Sequence, residues 1–378
     1  MNSNTCIDVI IIGGGLAGLV SAIHLSKNDI DVLVIEKNTY PKHKVCGEYI
    51  SNEVLPYLQS LDVDPLQLGA KRIDRFMLST VKSKLIETEL PLGGFGISRY
   101  TLDYTLAKKA VENGVTLLQD TVLDIQFSDD EFRVTTKNKG NYKAKQVIGA
   151  YGKRSNIDSK LKRRFIKNKS PFLAVKTHLK GDFPDDLVAL HNFNGGYCGL
   201  SKVENDHINA CYIADFKSFQ QFNNIQDFQR EVIYKNNYLK TIFENSEPVF
   251  SKPLTISQLS FSSKKPVEQH ILMCGDSAGM IHPLSGNGMS MAIRSANILS
   301  VLIIDHFKNK MESRESLEKA YRSAWNKEFK RRLNTGHIVA SLFKMNRFSE
   351  FMLLGLKSFP GILPKVIRQT HGKPLIVE

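Results

Sequence analysis

The sequence predicts an α/β protein in which a Rossmann-like domain carries an inserted antiparallel sheet and is followed by C-terminal helices. Three consecutive glycines break a long apolar run at residues 9–26, alternating segments recur between 172 and 214, and helical patterns continue beyond 306. With 378 residues, 42% apolar and 24% charged, the chain can form two or three folded domains. This composition excludes a disordered chain, a collagen-like repeat and a disulfide scaffold.

The apolar run contains a βαβ pattern. Its parts are a buried strand at Ile7–Ile12, a turn at Gly13–Gly15, a helix at Leu16–Lys27, and a second strand at Asp31–Ile35 that ends in Glu36. The run is long enough to imitate a membrane anchor, but the glycines interrupt it where a spanning helix would be regular. No Lys or Arg precedes it, as a signal peptide would require. The βαβ interpretation is therefore favoured.

The glycines of this turn stand in G-x-G-x-x-G register. Gly13 permits the turn, Gly15 lets a pyrophosphate approach the backbone, and Gly18 lets helix and strand pack closely. Glu36 follows Gly18 by 18 residues, where a carboxylate would accept hydrogen bonds from a ribose diol. The pattern predicts dinucleotide binding. The predicted contact residues of this unit are Gly13, Gly15, Leu16, Ala17, Gly18, Glu36 and Lys37.

A second motif lies at residues 271–294, where a buried strand leads to Gly275-Asp276, a Pro/Gly loop and a helix. This segment resembles the Gly-Asp motif of p-hydroxybenzoate-hydroxylase-like flavoproteins. The resemblance implies that the cofactor is FAD, that Asp276 binds its ribityl chain, and that the loop and helix approach the flavin ring. A helix N-terminus there would stabilise negative charge on the reduced ring. The implied contact residues are Gly275, Asp276, Pro283, Gly286, Asn287, Gly288 and Met289.

Two further segments resemble the same family. Residues 147–155 match its G-A-D-G-x-x-S motif at Gly152 but carry Tyr151 in place of the aspartate. The family associates that aspartate with contacts to both FAD and NAD(P)H. FAD is still expected, but NAD(P)H as the electron donor is left open because the aspartate is missing. Arg99 matches the arginine that precedes a helix near the cofactor. A solvated arginine at a helix start is the alternative.

The chain is most similar to the geranylgeranyl reductase family within these flavoproteins. Residues 41–48 resemble its P-x-x-K-x-C-G-G signature, with Glu48 in place of the last glycine, which implies that Lys44 and Cys46 lie near the cofactor. Cys46 is the candidate catalytic residue, with a simple packing role as the alternative. Two partial motifs, G-G-Y and Y-x-x-x-W, imply that the substrate-side residues are Tyr197, Tyr321 and Trp325.

These anchors predict a discontinuous FAD-binding domain. Its segments are 1–72, 97–165 and 264–305; the substrate domain comprises 73–96 and 166–263, and the helical region 306–378. The predicted function is an FAD-dependent oxidoreductase that transfers hydride from reduced flavin to a C=C bond of a hydrophobic small molecule. One alternative is a monooxygenase that hydroxylates an aromatic or polyketide-type substrate. Another is a non-catalytic FAD-binding or membrane-docking protein.

The five cysteines and the charge limit the remaining possibilities. The cysteines are odd in number and form no C-x-x-C pair, which favours a reducing, cytoplasmic compartment. No histidine spacing indicates a metal site, and no G-x-S-x-G motif supports hydrolase chemistry. The net charge of +13 favours an anionic partner. Nucleic acid is not expected, because no recognition module accompanies the charge. The sequence leaves the oligomeric state open.

Residues 301–378 contain 15 Lys and Arg against 7 Asp and Glu. Apolar side chains are interspersed with these charges at Phe343, Phe348, Phe351, Met352, Leu353, Leu354, Leu356 and Phe359. The mixture predicts an amphipathic surface with two interpretations. Either it rests peripherally on an anionic membrane and receives a lipophilic substrate, or its apolar face packs on the flavin domain with a basic face in solvent.

Overall fold

The computed structural model describes residues 6–167, 171–257, 259–343 and 361–376, together with 355, 358 and 359. The strands are β1 (Cys6–Ile12), β2 (Val32–Glu36), β3 (Tyr49–Ser51), β4 (Lys71–Ser79), β5 (Leu85–Gly96), β6 (Thr116–Gln119), β7 (Val122–Ser128), β8 (Glu131–Thr136), β9 (Asn141–Gly149), β10 (Phe172–Lys180), β11 (Leu187–Phe193), β12 (Gly196–Lys202), β13 (Ile208–Asp215), β14 (Glu247–Pro248), β15 (Leu254–Ser257), β16 (Val267–Glu268) and β17 (Ile271–Met273). The helices are α1 (Leu16–Ser26), α2 (Leu55–Ser60), α3 (Arg99–Glu112), α4 (Asn156–Lys160), α5 (Phe216–Phe219), α6 (Ile225–Glu231), α7 (Asn237–Glu244), α8 (Gly288–Phe307), α9 (Arg314–Phe343) and α10 (Ile362–Thr370).

The first sheet has the order β16-β17-β9-β1-β2-β6, and the β7–β8 hairpin extends it through β8 and β9. Strands β17, β9, β1, β2 and β6 run parallel. Apolar residues fill β1 and β2 because central parallel strands are buried on both faces. The predicted Rossmann-like α/β fold is confirmed, and the membrane-like run is divided into β1, a turn and α1.

The second sheet has the order β14-β10-β13-β12-β11-β4-β5-β3, with β15 also paired to β10. All its pairs are antiparallel except β11 with β4. The predicted inserted antiparallel sheet is therefore present. One face buries an apolar cluster that includes Phe228 and Leu239, from α6 and α7. The other, called here the site face, carries Ala174, Lys176 and Tyr197.

The proposed domain boundaries can be compared with the two sheets. Strand β3 and the beginning of β4 lie within the range 1–72 but pair in the second sheet. Strands β5 and β10–β15 of that sheet lie within the ranges expected for the substrate domain. The chain therefore crosses between the sheets as many times as the segment list implies, but the first crossing comes before β3 rather than after residue 72. The division into domains remains a proposal.

Helix α8 is long and apolar enough to cross a membrane by length and composition, alone among the helices in the described part of the chain. However, 61% of its most apolar stretch is buried inside the protein. It packs on α1 and α9, and its inward side chains include Ile293, Leu299 and Ile303. This packing is that of a core helix.

Helix α10 covers part of the second sheet. Its Leu363 and Ile367 contact Leu78, Ile86 and the side chains around them. The apolar face of α10 thus packs on the second sheet rather than on the first. The predicted amphipathic surface itself depends on Phe348, Phe351, Met352, Leu353, Leu354 and Leu356, and on the Phe343 side chain, which lie outside the described residues. Phe359 is described and is 65% exposed.

Tyr321 of α9 provides a test of the packing of the first sheet. Its hydroxyl donates to the Met273 carbonyl oxygen at 2.6 Å, and its side chain is fully buried. We expect Tyr321→Phe to lower the free energy of unfolding by about 1–2 kcal/mol, because a buried carbonyl loses its donor. Urea denaturation would measure the loss. Tyr104→Phe, on an exposed part of α3, is the control and should change stability little.

Candidate cofactor-binding site

The turn after β1 requires its glycines. Gly13 has φ +106°, and a Cβ atom there would lie 2.5 Å from the Ala150 carbonyl oxygen. A Cβ atom on Gly18 would overlap the Gly13 carbonyl oxygen. The turn is thus enclosed by α1 on one side and by the end of β9 on the other.

Gly15 faces the space in which a phosphate would fit. A Cβ atom on Gly15 would lie 3.5 Å from Arg99 Nη2 and 4.0 Å from Lys44 Nζ, with no other atom as close. No side chain caps α1 at Gly15, so the first backbone N–H groups of the helix are available. Two cations and a helix N-terminus thus converge on one place, as a bound pyrophosphate requires.

Asp103 holds both cations. It accepts from Arg99 Nε at 2.7 Å and from Lys44 Nζ at 2.7 Å, and its side chain is 1% exposed. Burial raises the pKa of Asp103, but the charges of Arg99 and Lys44 outweigh burial and hold the pKa below its ordinary value. Asp103 was not among the predicted site residues. Its position four residues after Arg99 on a helix was the available signal.

Glu36 lies at the end of β2, as predicted, and is largely engaged with the turn. Its Oε2 accepts from the Gly14 backbone N–H at 2.8 Å, and its Oε1 accepts from the Asn38 backbone N–H at 2.9 Å. Tyr40 donates to the Gly14 carbonyl oxygen at 2.5 Å. Each carboxylate oxygen has two lone pairs, so Oε2 can still accept from a ribose hydroxyl. Lys37, beside it, is exposed.

The loops after β9 and β17 meet at the same edge of the sheet. The Gly152 backbone N–H donates to Ser277 Oγ at 2.9 Å. Lys264 Nζ donates to the Lys153 and Asp276 carbonyl oxygens at 2.9 and 2.7 Å. Burial lowers the pKa of Lys264 to about 8. These contacts connect the two motif loops to each other.

The loop from 283 to 289 continues from Asp276 into α8. Pro283 begins a short 3₁₀ turn, which ends at Gly286 with φ +62°. Asn287 is fully buried and its Nδ2 donates to the Thr370 carbonyl oxygen at 2.8 Å, so its side chain is directed toward α10. Gly288 and Met289 begin α8. The predicted contact residues of this loop thus adjoin the start of the helix.

Cys46 is partly exposed, and its thiol lies near the Arg99 guanidinium. Cys211 of the site face lies near it, and burial raises the pKa of the Cys211 thiol to about 12.

Within the described part of the chain, no group of His, Cys, Asp and Glu side chains is suited to a metal ion. Leu16 and Ala17 are buried where α1 begins.

The three predicted substrate-side residues do not lie together. Tyr197 is on the site face, 7% exposed, and its hydroxyl has no hydrogen-bond partner among the described residues. Tyr321 is in the core of the first sheet, bonded to Met273. Trp325 packs over Gly279 and lines a small pocket that Asp276 also lines. The geometry therefore favours a structural role for Tyr321, and the assignment of Tyr197 and Trp325 to the substrate side stays a prediction.

The comparison with protein families identifies the chain. The family described as "FAD binding domain" matches residues 6–324. The chain belongs to this family. It is an FAD-binding flavoprotein of the oxidoreductase class, and the features at Gly15 fit the pyrophosphate of that cofactor: a backbone without a Cβ, the uncapped α1 and two cations.

The curated relatives of this FAD-binding protein are distant. "Conditioned medium factor receptor 1" of Dictyostelium discoideum is 23% identical over 373 residues, covering 90% of this chain and 70% of the relative. "Digeranylgeranylglycerophospholipid reductase" of Methanosarcina acetivorans is 26% identical over 377 residues, covering 95% and 89%. "Menaquinone reductase" of Mycobacterium tuberculosis H37Rv is 22% identical over 324 residues, covering 80% and 78%.

Among solved structures, the flavin-dependent brominase Bmp2 is similar with a TM-score of 0.80 and 18% identity, covering 97% of this chain and 93% of Bmp2. At this identity the similarity supports the fold. The resemblance to geranylgeranyl reductases that the motifs predicted is confirmed at the level of the family.

Proposed function

We propose that this flavoprotein reduces a C=C bond of a hydrophobic small molecule. When bound and reduced, FAD would supply a hydride to one alkene carbon, and a proton from solvent would complete the other carbon. Two distant relatives are named as reductases, one of a digeranylgeranyl lipid and one of menaquinone. Their names support an extended, unsaturated apolar substrate.

The observation that carries the proposal is an apolar cluster between the site face and the flavin loops. Tyr197, Ala174 and Ile213 of the sheet pack against Met280, from the loop that follows Asp276. Val45, directly before Cys46, joins the same cluster. Both loops that the family resemblance assigns to the flavin therefore adjoin one apolar surface, where a hydrophobic substrate would be shielded from water.

Tyr197 contributes a polar group to this surface. Burial raises its pKa, so the phenol keeps its proton at neutral pH. Its hydroxyl has no partner within the described part of the chain, and an unpaired buried hydroxyl gains from a ligand that accepts its hydrogen bond. We propose that the Tyr197 hydroxyl orients the substrate by donating a hydrogen bond to its polar end, such as a carbonyl.

An anaerobic experiment tests the reaction. The FAD-loaded protein is reduced with dithionite and mixed with menaquinone or with a geranylgeranyl lipid, and flavin oxidation is followed by absorbance. We expect oxidation of the flavin and a product that, after any quinol has been returned to the quinone by air, still carries two additional hydrogen atoms by mass spectrometry. Tyr197→Phe should bind FAD normally and react about tenfold more slowly. NADH and NADPH are tested separately as reductants.

A monooxygenase or halogenating reaction is the second candidate, favoured by the similarity in fold to the brominase. Absence of anaerobic product, together with an O₂-dependent product that contains a new oxygen or halogen atom, would overturn the reductase proposal. Stable FAD binding without any accelerated oxidation or reduction would indicate a non-catalytic flavoprotein. Peripheral membrane contact stays a separate proposal, tested by sedimentation with anionic liposomes at low salt.

A further inference from the structure

The loop from 44 to 48, which carries Lys44 and Cys46, is held by side chains of the second sheet. Asn209 Nδ2 donates to the Gly47 carbonyl oxygen at 2.7 Å and to that of Cys46 at 3.3 Å. Lys176 Nζ donates to the Lys44 carbonyl oxygen at 3.2 Å. The position of this loop is therefore determined by the site face as well as by the FAD-binding sheet.

Glu48 ends this loop in an unusual backbone conformation. Its φ of +54° lies in the left-handed region that favours glycine, and the related signature has glycine at this place. The Glu48 carboxylate accepts hydrogen bonds from Lys176 Nζ and, at 2.7 Å, from His178 Nε2. The side chains of Glu48 and Lys176 are 0% exposed and that of His178 is 2% exposed. A strained backbone thus places an ionised group inside the protein.

The same carboxylate also fixes the beginning of α3. Glu48 Oε1 accepts from the Arg99 backbone N–H at 2.8 Å. Arg99 and Lys44 are the two cations that face the space over Gly15. Glu48 is therefore bonded to the residue that supplies one phosphate-facing cation, and it ends the loop that supplies the other.

The ionic character of this cluster needs an explanation beyond stability. Burial raises the pKa of Glu48, but the charge of Lys176 and the hydrogen bond from His178 outweigh burial and keep it below the ordinary value. A buried ion pair is often no more stabilising than apolar side chains of similar volume. What such a pair does provide is a fixed relative position for the segments that carry its members.

We propose that Glu48, Lys176 and His178 form a positioning triad that sets Arg99 and Lys44 against the FAD pyrophosphate. The triad uses the second sheet as its fixed base. Strand β10 presents Lys176 to Glu48 and, two residues earlier, Ala174 to the apolar cluster. One strand thereby connects the cofactor-facing cations with the proposed substrate surface. The proposal depends on FAD binding and is independent of which reaction the flavin performs.

The test is the double substitution Glu48→Gly with Lys176→Met. It removes both buried charges together and places glycine where φ is positive, so no unpaired ion or strain is introduced. We expect a folded apoprotein, because the backbone strain relieved at residue 48 partly offsets the cavity left by the Glu48 side chain. We expect its FAD dissociation constant to be about tenfold higher, measured by quenching of flavin fluorescence. The midpoint potential of the bound flavin should also shift.

Lys202→Met is the matched control. Lys202 belongs to the same sheet, but its Nζ pairs with Asp185, a surface carboxylate, rather than with Glu48. Its substitution should leave FAD affinity unchanged. Should the double variant not fold, His178→Phe removes one donor from Glu48 without adding charge, and FAD affinity is expected to fall about threefold. The proposal would be overturned if the folded variant had the same FAD affinity and the same flavin potential as the unmodified protein.

Discussion

Replacing Gly18 with alanine is expected to abolish measurable FAD binding and to lower the free energy of unfolding by about 3 kcal/mol. The new methyl group would overlap the Gly13 carbonyl oxygen. The turn has little room to shift, because on its other side Gly13 leaves no space even for a methyl group against the Ala150 carbonyl group. Urea denaturation of the apoprotein and titration with FAD would measure the two effects.

Gly361→Ala is the control for this substitution. Gly361 precedes α10 with φ −72°, and a Cβ atom there would meet no atom within 4 Å. Its substitution should change neither stability nor FAD affinity. Undiminished FAD binding by Gly18→Ala would show that α1 and the turn do not approach each other as closely as described.

Asp103→Asn is expected to destabilise the apoprotein by about 3 kcal/mol at neutral pH, because Arg99 and Lys44 lose their shared counter-ion. FAD should recover more stability in this variant than in the unmodified protein, since its pyrophosphate supplies the missing negative charge. Thermal unfolding with and without FAD would give both quantities. An equal gain on FAD addition in the two proteins would contradict the placement of the pyrophosphate beside these cations.

The pH dependence of stability provides a second measurement on Asp103. Its folded-state pKa is below the ordinary 3.8, so the unfolded chain takes up the proton first as the pH falls. The stabilisation by Asp103 is complete above that ordinary value and is lost as the pH falls through the folded-state pKa. The unmodified protein should therefore lose stability below pH about 4 more steeply than Asp103→Asn. Urea midpoints across this range would test the difference.

Local patterns predicted the first part of the fold correctly. Gly13, Gly15, Gly18 and Glu36 all lie within one short stretch of sequence. The structure places these four residues around one turn. The alternating segments between residues 172 and 214 likewise predicted strands where β10, β11 and β13 are found. In both cases the physical cause is local: glycine permits the turn, and period-two alternation suits a strand.

Longer-range relations could not be predicted in this way. Glu48 is 128 residues from Lys176, and no spacing rule connects them before the second sheet has formed. Tyr321 and Trp325 were recognised as a helical motif, but a motif does not determine which face of α9 meets the core. Asp103 differs, because its helical spacing from Arg99 made the contact predictable.

The order of strands in the first sheet has a consequence for synthesis of the chain. Strand β1 emerges first, but β17, which carries the chain to Asp276, follows it by more than 250 residues and pairs with β9. At roughly 5–20 residues per second, a ribosome needs on the order of 10–50 s for that interval. During this time the glycine turn is made without the loop that completes its site. We therefore expect FAD to load after translation has passed α8, with the nascent N-terminal unit relying on chaperones or on its own βαβ packing until then.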